Sequence, residues 1–493
     1  IDRRTALFEQ TVLGVQGLPP EFADFFSFAF QSWVMNTWYM SDAQGDWFSV
    51  WEGCCKFHST VDVEYNTMPF YLQYWPELAR LTLDEWAAHE QNGVMPHDMG
   101  MGFQVGRMQY PHQMEVEEAT NYVLLLAAYW RATGDGEAVT RHLALVDRLM
   151  DAVARFDTDG DGFPEKGTSN TIDQGSTAIQ HGPKQVYLAV KSLAAWRMVE
   201  AMARATGDEA MAREHAERAA LVARTLDSEA WLNDHYVVAL KPRSRTPEAA
   251  DPPGEDNLGR AGYFDGMGAA PGVGGGGWSP GYAYTPEPPA GWDGYSIYAA
   301  NGLLYPLAYG PTVTVDGERM RADLLAATDK TLKRFGSPHT DGEGNTWISQ
   351  NLWRDMVGAY LGLDFLDNLA RYWAFELEQN RYRRGCFTDV YNHGSGSTSL
   401  DYYPRGIAAA GLVPAVAGLR VDRVEGLLSF APLRTPLHLP LTACADWPNE
   451  HVPWADISPT ADGPQVRIDR PELVADLAVR ARAADRPRAW HEP

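Results

Sequence analysis

Three carboxylic acids lie close together in an aromatic stretch near the start of the chain. Residues 47–76 read WFSVWEGCCKFHSTVDVEYNTMPFYLQYWP, which places Glu52, Asp62 and Glu64 among tryptophan, tyrosine and phenylalanine. Glycosidic chemistry needs carboxyl groups in such surroundings, because one must attack or stabilise an oxocarbenium-like centre while another protonates the leaving oxygen. The alternative interpretation, favoured for any one acid taken alone, is a helix cap or a surface position.

A second acidic segment resembles the start of a calcium-binding loop. Residues 156–176 read FDTDGDGFPEKGTSNTIDQGS, and Asp157, Asp159 and Asp161 precede Gly162 there. Oxygen atoms at alternate positions of such a loop converge on one hard cation. The twelfth position is Thr168 instead of the usual Glu, so the segment predicts either a partial Ca²⁺ site or a tight turn that caps a helix.

Two further loops contain residue types suited to a binding site. Asp173 stands in a Thr-Ile-Asp-Gln-Gly loop before a predicted long helix, where it is either a cap or a catalytic acid. His97 and Asp98 lie in the loop Val-Met-Pro-His-Asp-Met-Gly. A His followed by an acid in a loop of Gly and Pro favours a ligand-contacting pair over a core histidine.

Charge and absent motifs exclude several other functions. The 493 residues carry 41 Lys and Arg against 65 Asp and Glu, a net charge of −24. Such a surface repels phosphate, which disfavours nucleic acid and anionic membranes as partners and favours a neutral or cationic substrate. The motifs H-E-x-x-H, G-x-S-x-G and G-x-x-x-x-G-K-[ST] are absent, which disfavours a zinc hydrolase, a serine hydrolase and a nucleotide-binding protein. No apolar run is long enough to span a bilayer, and the compartment stays open between cytoplasmic and secreted.

The elements that must position these residues are amphipathic helices, and one pair of helices repeats. Residues 117–131 and 185–204 both read as helices, and each runs into Ala-Thr-Gly-Asp, at 132–135 and 205–208. Gly suits the position after a helix and Asp can cap the next one. The repeated unit is therefore predicted to be a helical hairpin, and several hairpins can form a solenoid, a bundle or a closed (α/α) toroid.

Two regions depart from the helical pattern. Residues 242–295 lack helical periodicity for more than fifty positions, which is typical of a functional loop. Residues 426–493 contain short strand-like pieces between prolines. We therefore expect a helical domain over 1–425 with a long loop at 242–295, followed by a small β-rich extension over 426–493.

In order along residues 25–415, the motifs resemble the catalytic domain of glycoside hydrolase family 116, which includes non-lysosomal glucosylceramidase and bacterial β-glucosidases. The motifs are W-E-G at 51–53, D-V at 62–63, W-P at 75–76, M-P-H-D-M-G at 95–100, T-G-D at 133–135, D-x-D-G-D-G at 157–162, T-I-D at 171–173 and S-L-D-Y-Y-P-R at 399–405.

This resemblance implies a retaining β-glycosidase on an (α/α)6 toroid. It assigns the nucleophile to Glu52 and the acid/base to Asp173. Asp62, His97 and Thr171 match residues that hold hydroxyl groups of the sugar in the family. The calcium-like turn of the family falls on residues 157–162.

The chain departs from the family at the far end of the sugar site. A Glu and, nine residues later, an Arg grip the outer hydroxyls of glucose in the family, and the best placement puts Asp389 and Thr398 there. The Arg is missing, and Arg405 can fill part of its role. We therefore expect a weaker preference for glucose. The β-sandwich that precedes the helices in the family is also absent, so either that domain was removed or this is a branch with another architecture.

The sequence thus predicts an exo-acting retaining glycoside hydrolase that cleaves β-linked sugars from the non-reducing end. The sugar stays open among a glucoside, a xyloside and an arabinofuranoside. No cofactor is expected for catalysis, structural Ca²⁺ is an option at Asp157, Asp159 and Asp161, and a homo-oligomer stays open. The alternatives are an inverting glycosidase or a lyase on the same toroid, or a carbohydrate-binding protein without turnover.

Overall fold

The computed structural model describes residues 2–483 except 44, 107–113, 173–174, 181, 242–286, 312, 314 and 381–384. The predicted acid/base Asp173 and most of the predicted loop 242–295 lie outside the described residues. The described α-helices are α1 (Asp2–Leu13), α2 (Phe22–Met35), α3 (Val61–Tyr74), α4 (Pro76–His89), α5 (Glu115–Thr133), α6 (Gly136–Phe156), α7 (Thr177–Gln180), α8 (Val186–Thr206), α9 (Glu209–Glu229), α10 (Leu304–Tyr309), α11 (Gly317–Thr331), α12 (Ile348–Tyr360), α13 (Leu369–Glu378) and α14 (Leu412–Val416).

The repeated tetrapeptide joins helices as the sequence predicts. Gly134 ends α5 with a φ of +79°, and the side chain of Asp135 accepts hydrogen bonds from the first backbone N–H groups of α6. Gly207 ends α8 with a φ of +85°, and Asp208 caps α9 in the same way. A positive φ costs glycine little, so it can turn the chain directly after a helix. The prediction of two helical hairpins is confirmed.

Six helical segments form a closed inner ring. They are α3, α5, α8, α10 with the preceding 3₁₀ helix Asn301–Leu303, α12, and the 3₁₀ helix Pro404–Gly411 with α14. Each packs against the next, and the last packs against α3, which closes the ring. Every residue of α3, of α12 and of Pro404–Gly411 is buried. The described part of the chain is therefore helix-rich, with the ring architecture of an (α/α) toroid.

The outer helices have a different burial pattern. In α6 and α9, buried alanine, valine and leucine alternate with exposed charged residues, because one face packs on the ring and the other meets solvent. An inner helix has no solvent face, since one side packs outward and the other faces the ring axis. A charged residue on an inner helix therefore needs partners across the ring.

The inner helices begin at the same end of the ring. Near these ends, Tyr187 of α8 donates a hydrogen bond to Glu117 of α5, and Gln350 of α12 donates one to Asn66 of α3. Helix N-termini carry partial positive charge, which favours carboxylates nearby. This end of the ring is therefore suited to collect acidic side chains.

Short antiparallel strands surround the ring. Two-stranded ribbons pair β1 (Thr37–Asp42) with β2 (Gly45–Val50), β3 (Gly100–Met101) with β4 (Gln104–Val105), and β5 (Trp231–Leu232) with β6 (His235–Tyr236). A three-stranded sheet contains β7 (Asn345–Trp347), β8 (Thr388–Asn392) and β9 (Thr398–Asp401). In its register Tyr391 lies opposite Thr398.

The C-terminal part of the chain is rich in strands. One sheet has the order β10 (Arg420–Asp422), β11 (Leu427–Phe430) and β15 (Ala478–Ala481), with β11 and β15 parallel. The other has the order β12 (Leu437–Pro440), β13 (Trp454–Thr460) and β14 (Gly463–Ile468). Strands thus begin at residue 420, slightly before the predicted boundary. Among the described helices, none combines the length and apolar character that a bilayer crossing requires.

Candidate active site

Glu52 lies between β2 and α3 at the end of the ring where the inner helices begin, and only 9% of it is exposed. The hydroxyl of Tyr403 donates to its Oε1 over 2.6 Å, and the hydroxyl of Thr60 donates to its Oε2 over 2.9 Å. Burial, and next the charge of Asp62, raise the pKa of Glu52 to about 7. Both oxygens are thus held in place by donors, and the proton affinity is that of a group active near neutral pH.

The glycine of the W-E-G motif fixes the position of Glu52. Gly53 has a φ of +52°, and a Cβ at this position would lie 2.6 Å from the carbonyl oxygen of Tyr402 and 2.8 Å from that of Asp401. Real Cβ atoms do not approach backbone so closely, so no larger residue fits without movement. The segment that carries Glu52 therefore packs directly on the segment that carries Tyr403.

Asp62, His97 and Asp98 form the wall beside Glu52. His97 and Asp98 form a hydrogen bond of 3.0 Å through Nδ1 and Oδ2, and Asp98 Oδ1 accepts the N–H of Gly100. The other ring nitrogen of His97 lies 3.8 Å from Asp62 Oδ1. Burial alone would lower the pKa of His97, but the hydrogen bond to Asp98 and the nearby carboxylates outweigh it and raise that pKa to about 9.

Glu64, the third acid of the aromatic stretch, points elsewhere. Its Oε2 accepts hydrogen bonds from Thr67 at 2.7 Å and Tyr71 at 2.8 Å, both on its own helix. The Tyr71 hydroxyl in turn accepts a hydrogen bond from Trp33 of α2. Glu64 therefore belongs to the packing between α2 and α3.

Asp389, Arg405 and Thr171 meet as a buried group. Arg405 donates to Thr171 Oγ1 over 2.7 Å and to Asp389 Oδ2 over 3.2 Å. Asp389 also accepts the N–H and the hydroxyl of Ser349 at the start of α12. The Arg405 guanidinium lies over the ring of Trp347 at 4.6 Å, so its position is fixed on all sides. Thr398 lies in β9, the strand next to the one that carries Asp389, and it pairs with Tyr391 of β8.

Two acids at the start of α5 complete the site, and the sequence analysis missed them. Glu117 accepts hydrogen bonds from Lys191 at 2.8 Å and from the backbone N–H of Thr171 at 2.6 Å. Glu118 is 1% exposed, and burial followed by the charge of Asp62 raises its pKa well above the ordinary value. Acidic residues are common in the first turn of a helix because they interact favourably with its dipole. Their presence there does not by itself indicate a functional site. The available signal was Lys191 in an apolar helix, which requires a buried partner.

The predicted calcium-binding loop holds an internal cation instead. The Lys184 ammonium lies 2.5 Å from Asp159, 2.5 Å from Asp161 and 3.3 Å from Glu165. Asp157 accepts the backbone N–H groups of residues 160–162, as in a tight turn. Ca²⁺ at this loop stays a prediction, and the ion would have to compete with Lys184.

Several buried polar atoms on inner helical segments and on β7 have no hydrogen-bond partner among the described residues. Buried polar groups are rarely left unpaired, so such atoms mark space for water or a polar ligand. They are Asp62 Oδ1, Asn66 Nδ2, Glu118 Oε1, Asn121 Oδ1, Asn301 Oδ1 and Trp347 Nε1. They come from α3, α5, the 3₁₀ helix before α10, and β7, that is, from around the ring.

Comparison with known proteins gives one family match and several structural matches. Residues 52–245 match the family described as the glutaminase A six helical-hairpin domain. This is less than half of the chain. A search of curated proteins finds no sequence match.

Three of the similar solved structures are rhamnosidases. The family GH78 rhamnosidase of Bacillus sp. GL1 has a TM-score of 0.53 at 16% identity, over 86% of this chain and 39% of that one. The α-L-rhamnosidase from Dictyoglumus thermophilum has a TM-score of 0.52 at 11% identity, over 92% of this chain and 43% of that one. The Klebsiella oxytoca rhamnosidase, solved with rhamnose bound, has a TM-score of 0.51 at 12% identity, over 81% of this chain and 64% of that one.

The chain thus spans between about two fifths and two thirds of the length of these proteins. At such low identity the matches establish a shared fold and nothing more. They do not support the resemblance to family 116. The chain has the α/α toroid fold of a group of glycoside hydrolases.

Proposed function

We propose that this protein is a glycoside hydrolase whose active site surrounds Glu52 at the end of the ring where the inner helices begin. One observation carries the proposal. Glu52 is a buried carboxyl group fixed by Tyr403 and Thr60, and it interacts with the charge of Asp62, whose Oδ1 has no hydrogen-bond partner among the described residues. A sugar, with hydroxyl groups on every side, can satisfy such a set of atoms.

In the proposed mechanism Glu52 is the nucleophile of a double displacement. The two hydroxyl groups donate to both of its oxygens and so favour the ionised form that attack requires. The attack forms a covalent bond between Glu52 and the anomeric carbon as the leaving oxygen departs with a proton, and water then hydrolyses that bond.

Asp173 is proposed as the acid/base, although it lies outside the described residues. What supports it is the position of Thr171, two residues earlier. The N–H of Thr171 donates to Glu117 and its hydroxyl accepts from Arg405, so Thr171 is held within the site.

The remaining site residues are proposed to bind the sugar. Asp62, His97, Asp98, Thr171, Asp389, Thr398 and Arg405 make up this set. Buried acids outnumber bases around Glu52, and both Arg405 and Lys191 are already engaged by carboxylates. An anionic sugar would be repelled here, which favours a neutral one.

Two classes of substrate are candidates. The motif order favours a β-linked glucoside, xyloside or arabinofuranoside. The shared fold with rhamnosidases favours an α-L-rhamnoside as the second candidate.

The test is a panel of nitrophenyl glycosides with purified protein. It contains β-glucoside, β-xyloside, β-arabinofuranoside and α-L-rhamnoside, with L-glutamine included because of the matched family name. Glu52→Gln should abolish turnover, whereas Asp323→Asn, which changes a fully buried acid on α11, should retain it. NMR of the first product then separates retention from inversion at the anomeric carbon. Sugar binding without turnover in the unaltered protein would contradict the proposal and favour a binding protein.

A further inference from the structure

Three side chains beside Glu52 converge on one point. One oxygen of Asp62, one nitrogen of His97 and one oxygen of Glu118 all lie within 4.8 Å of one another, and all three residues are buried. They come from α3, from the loop before β3 and from α5. Because the three residues lie on separate segments, no compact ligand motif exists in the sequence.

Two of these side chains have an oxygen atom that accepts no hydrogen bond within the described part of the chain. Asp62 Oδ1 and Glu118 Oε1 are buried and have no hydrogen-bond partner among the described residues. Asp62 is 6% exposed and Glu118 is 1% exposed. Two buried carboxyl groups repel each other when both are ionised, and a cation bound between them would remove that repulsion.

The nearby basic side chains are committed elsewhere. Lys191 lies against Glu117 at 2.8 Å, and Arg405 is held between Asp389 and Thr171. Neither Lys191 nor Arg405 is therefore available to Asp62 and Glu118, and His97 is the basic side chain that faces Asp62.

His97 is oriented as a metal ligand usually is. Its Nδ1 is hydrogen-bonded to Asp98, which is itself fixed by the N–H of Gly100. This leaves Nε2 toward Asp62, at 3.8 Å. A carboxylate behind a ligating histidine fixes the ring and is the usual second layer of a metal site.

The distance between His97 and Asp62 is close to what a bound ion requires, and the Glu118 oxygen lies within 4.8 Å of both. Tetrahedral ligands at about 2.0–2.1 Å from a metal lie about 3.3–3.5 Å apart. The distance between His97 and Asp62 exceeds this by a few tenths of an ångström, which a small side-chain rotation can close.

We propose that Asp62, His97 and Glu118 bind one divalent transition-metal ion of the Zn²⁺ class. One imidazole nitrogen and two carboxylate oxygens suit such an ion better than Ca²⁺ or Mg²⁺, which prefer oxygen ligands only. Three protein ligands leave a coordination position open, as in sites where a metal contacts substrate. The open position would lie on the side of Glu52, where it could hold a hydroxyl group of a sugar.

The test measures metal binding directly and does not depend on hydrolysis. The full chain is stripped with a chelator, and Zn²⁺ is titrated by calorimetry. Co²⁺ is then used as a spectroscopic probe, because its visible absorption reports coordination by protein ligands. We expect one Zn²⁺ per chain and a Co²⁺ spectrum that Zn²⁺ displaces.

Variants assign the site. Glu118→Gln and Asp62→Asn should each weaken Zn²⁺ binding by about tenfold or more, and Asp98→Asn should weaken it by about 10–100-fold through His97. Glu64→Gln is the matched control on α3 and should bind normally, because Glu64 faces α2. Circular dichroism checks that each variant is folded. If either Glu118→Gln or Asp62→Asn does not fold, the other one tests the metal site.

A second acidic cluster requires its own control. Asp157, Asp159 and Glu165 also approach one another. If Asp159→Asn removes the bound Zn²⁺ while Asp62→Asn and Glu118→Gln keep it, the proposal is overturned. It is equally overturned if the unaltered protein binds no Zn²⁺ at about 100 μM. The binding experiment does not depend on hydrolysis. The metal-site proposal and the glycosidase proposal can therefore fail independently of each other.

Discussion

Tyr403 donates a hydrogen bond of 2.6 Å to Glu52, although 351 residues separate them in the sequence. The tyrosine lies directly before the last inner helical segment of the ring, and the glutamate lies directly after β2. The contact thus joins the two ends of the ring, and it links the closure of the fold to the proposed chemistry.

This contact predicts the effect of Tyr403→Phe. Because the hydrogen bond lowers the pKa of Glu52, its loss should raise that pKa above about 7. A hydrogen bond to a charged group contributes about 1.5–3 kcal/mol, so kcat/KM should fall by about 10–100-fold. The acidic limb of the pH profile of kcat/KM should also move to higher pH. Tyr236→Phe removes a buried hydroxyl that has no hydrogen-bond partner among the described residues. It should leave both kcat/KM and its pH profile unchanged. An unmoved pH profile in Tyr403→Phe would exclude Glu52 as the titrating group.

The two carboxyl groups of the mechanism should respond differently to substitution. Removing the nucleophile abolishes both steps, whereas removing the acid/base mainly slows substrates whose leaving group needs a proton. Glu52→Gln should therefore be inactive on all substrates, and Asp173→Asn should retain turnover of nitrophenyl glycosides but lose that of alkyl glycosides. Equal losses on both substrate classes would contradict the assignment of Asp173.

Gly53 should resist replacement for two separable reasons. Gly53→Ala meets both an unfavourable positive φ and the carbonyl oxygens of residues 401 and 402. Gly207 has a similar φ but no atom within 4 Å of the added Cβ, so Gly207→Ala isolates the backbone cost of about 1 kcal/mol. Gly53→Ala should lose about 1–3 kcal/mol more in the free energy of unfolding, measured with urea. Equal losses would show that the segments around residues 53 and 402 can move apart.

Asp323 should make stability fall as pH rises. Burial raises its pKa from 3.8 to about 8, so the folded state keeps a proton that the unfolded state releases from about pH 4 upward. Its contribution to stability is complete below pH 4 and is lost as the pH rises through 8. Asp323→Asn keeps an acceptor for the N–H of Tyr236 and removes this dependence.

Unfolding measured from pH 4 to 8 checks this. Between pH 4 and pH 8 the free energy of unfolding of Asp323→Asn should rise relative to that of the unaltered protein by more than about 1.4 kcal/mol, since one pKa unit corresponds to about 1.36 kcal/mol. Asp329→Asn, an exposed position on the same helix, is the control and should follow the unaltered protein. A constant difference between Asp323→Asn and the unaltered protein would contradict the raised pKa.

Lys184 should determine whether the acidic loop binds calcium. Lys184→Met leaves Asp159, Asp161 and Glu165 without their buried cation and should cost about 3–5 kcal/mol. Millimolar Ca²⁺ should then raise the melting temperature of the variant by several degrees, because the ion can take the place of the ammonium group. The unaltered protein should respond much less. A larger response in the unaltered protein would show that Ca²⁺ binds alongside Lys184.

The sequence by itself determined the features that depend on a few neighbouring residues. The Gly-Asp turns at 134–135 and 207–208 were predictable because a helix end and the next cap are set by local φ angles and local hydrogen bonds. The acids at 52 and 62 and the histidine at 97 stood out because their chemistry is unusual in an aromatic and apolar context.

Only the tertiary structure decided which residues meet. The helical pattern of each hairpin fits a solenoid, a bundle or a ring equally well, and closure depends on Pro404–Gly411 packing against α3 from the other end of the chain. The partnership of Glu117 with Lys191, the insertion of Lys184 among the loop acids and the approach of Glu118 to Asp62 and His97 all arise from that packing. A side chain's charge is visible in the sequence, but the identity of its partner is set by distances that exist only after the chain has folded.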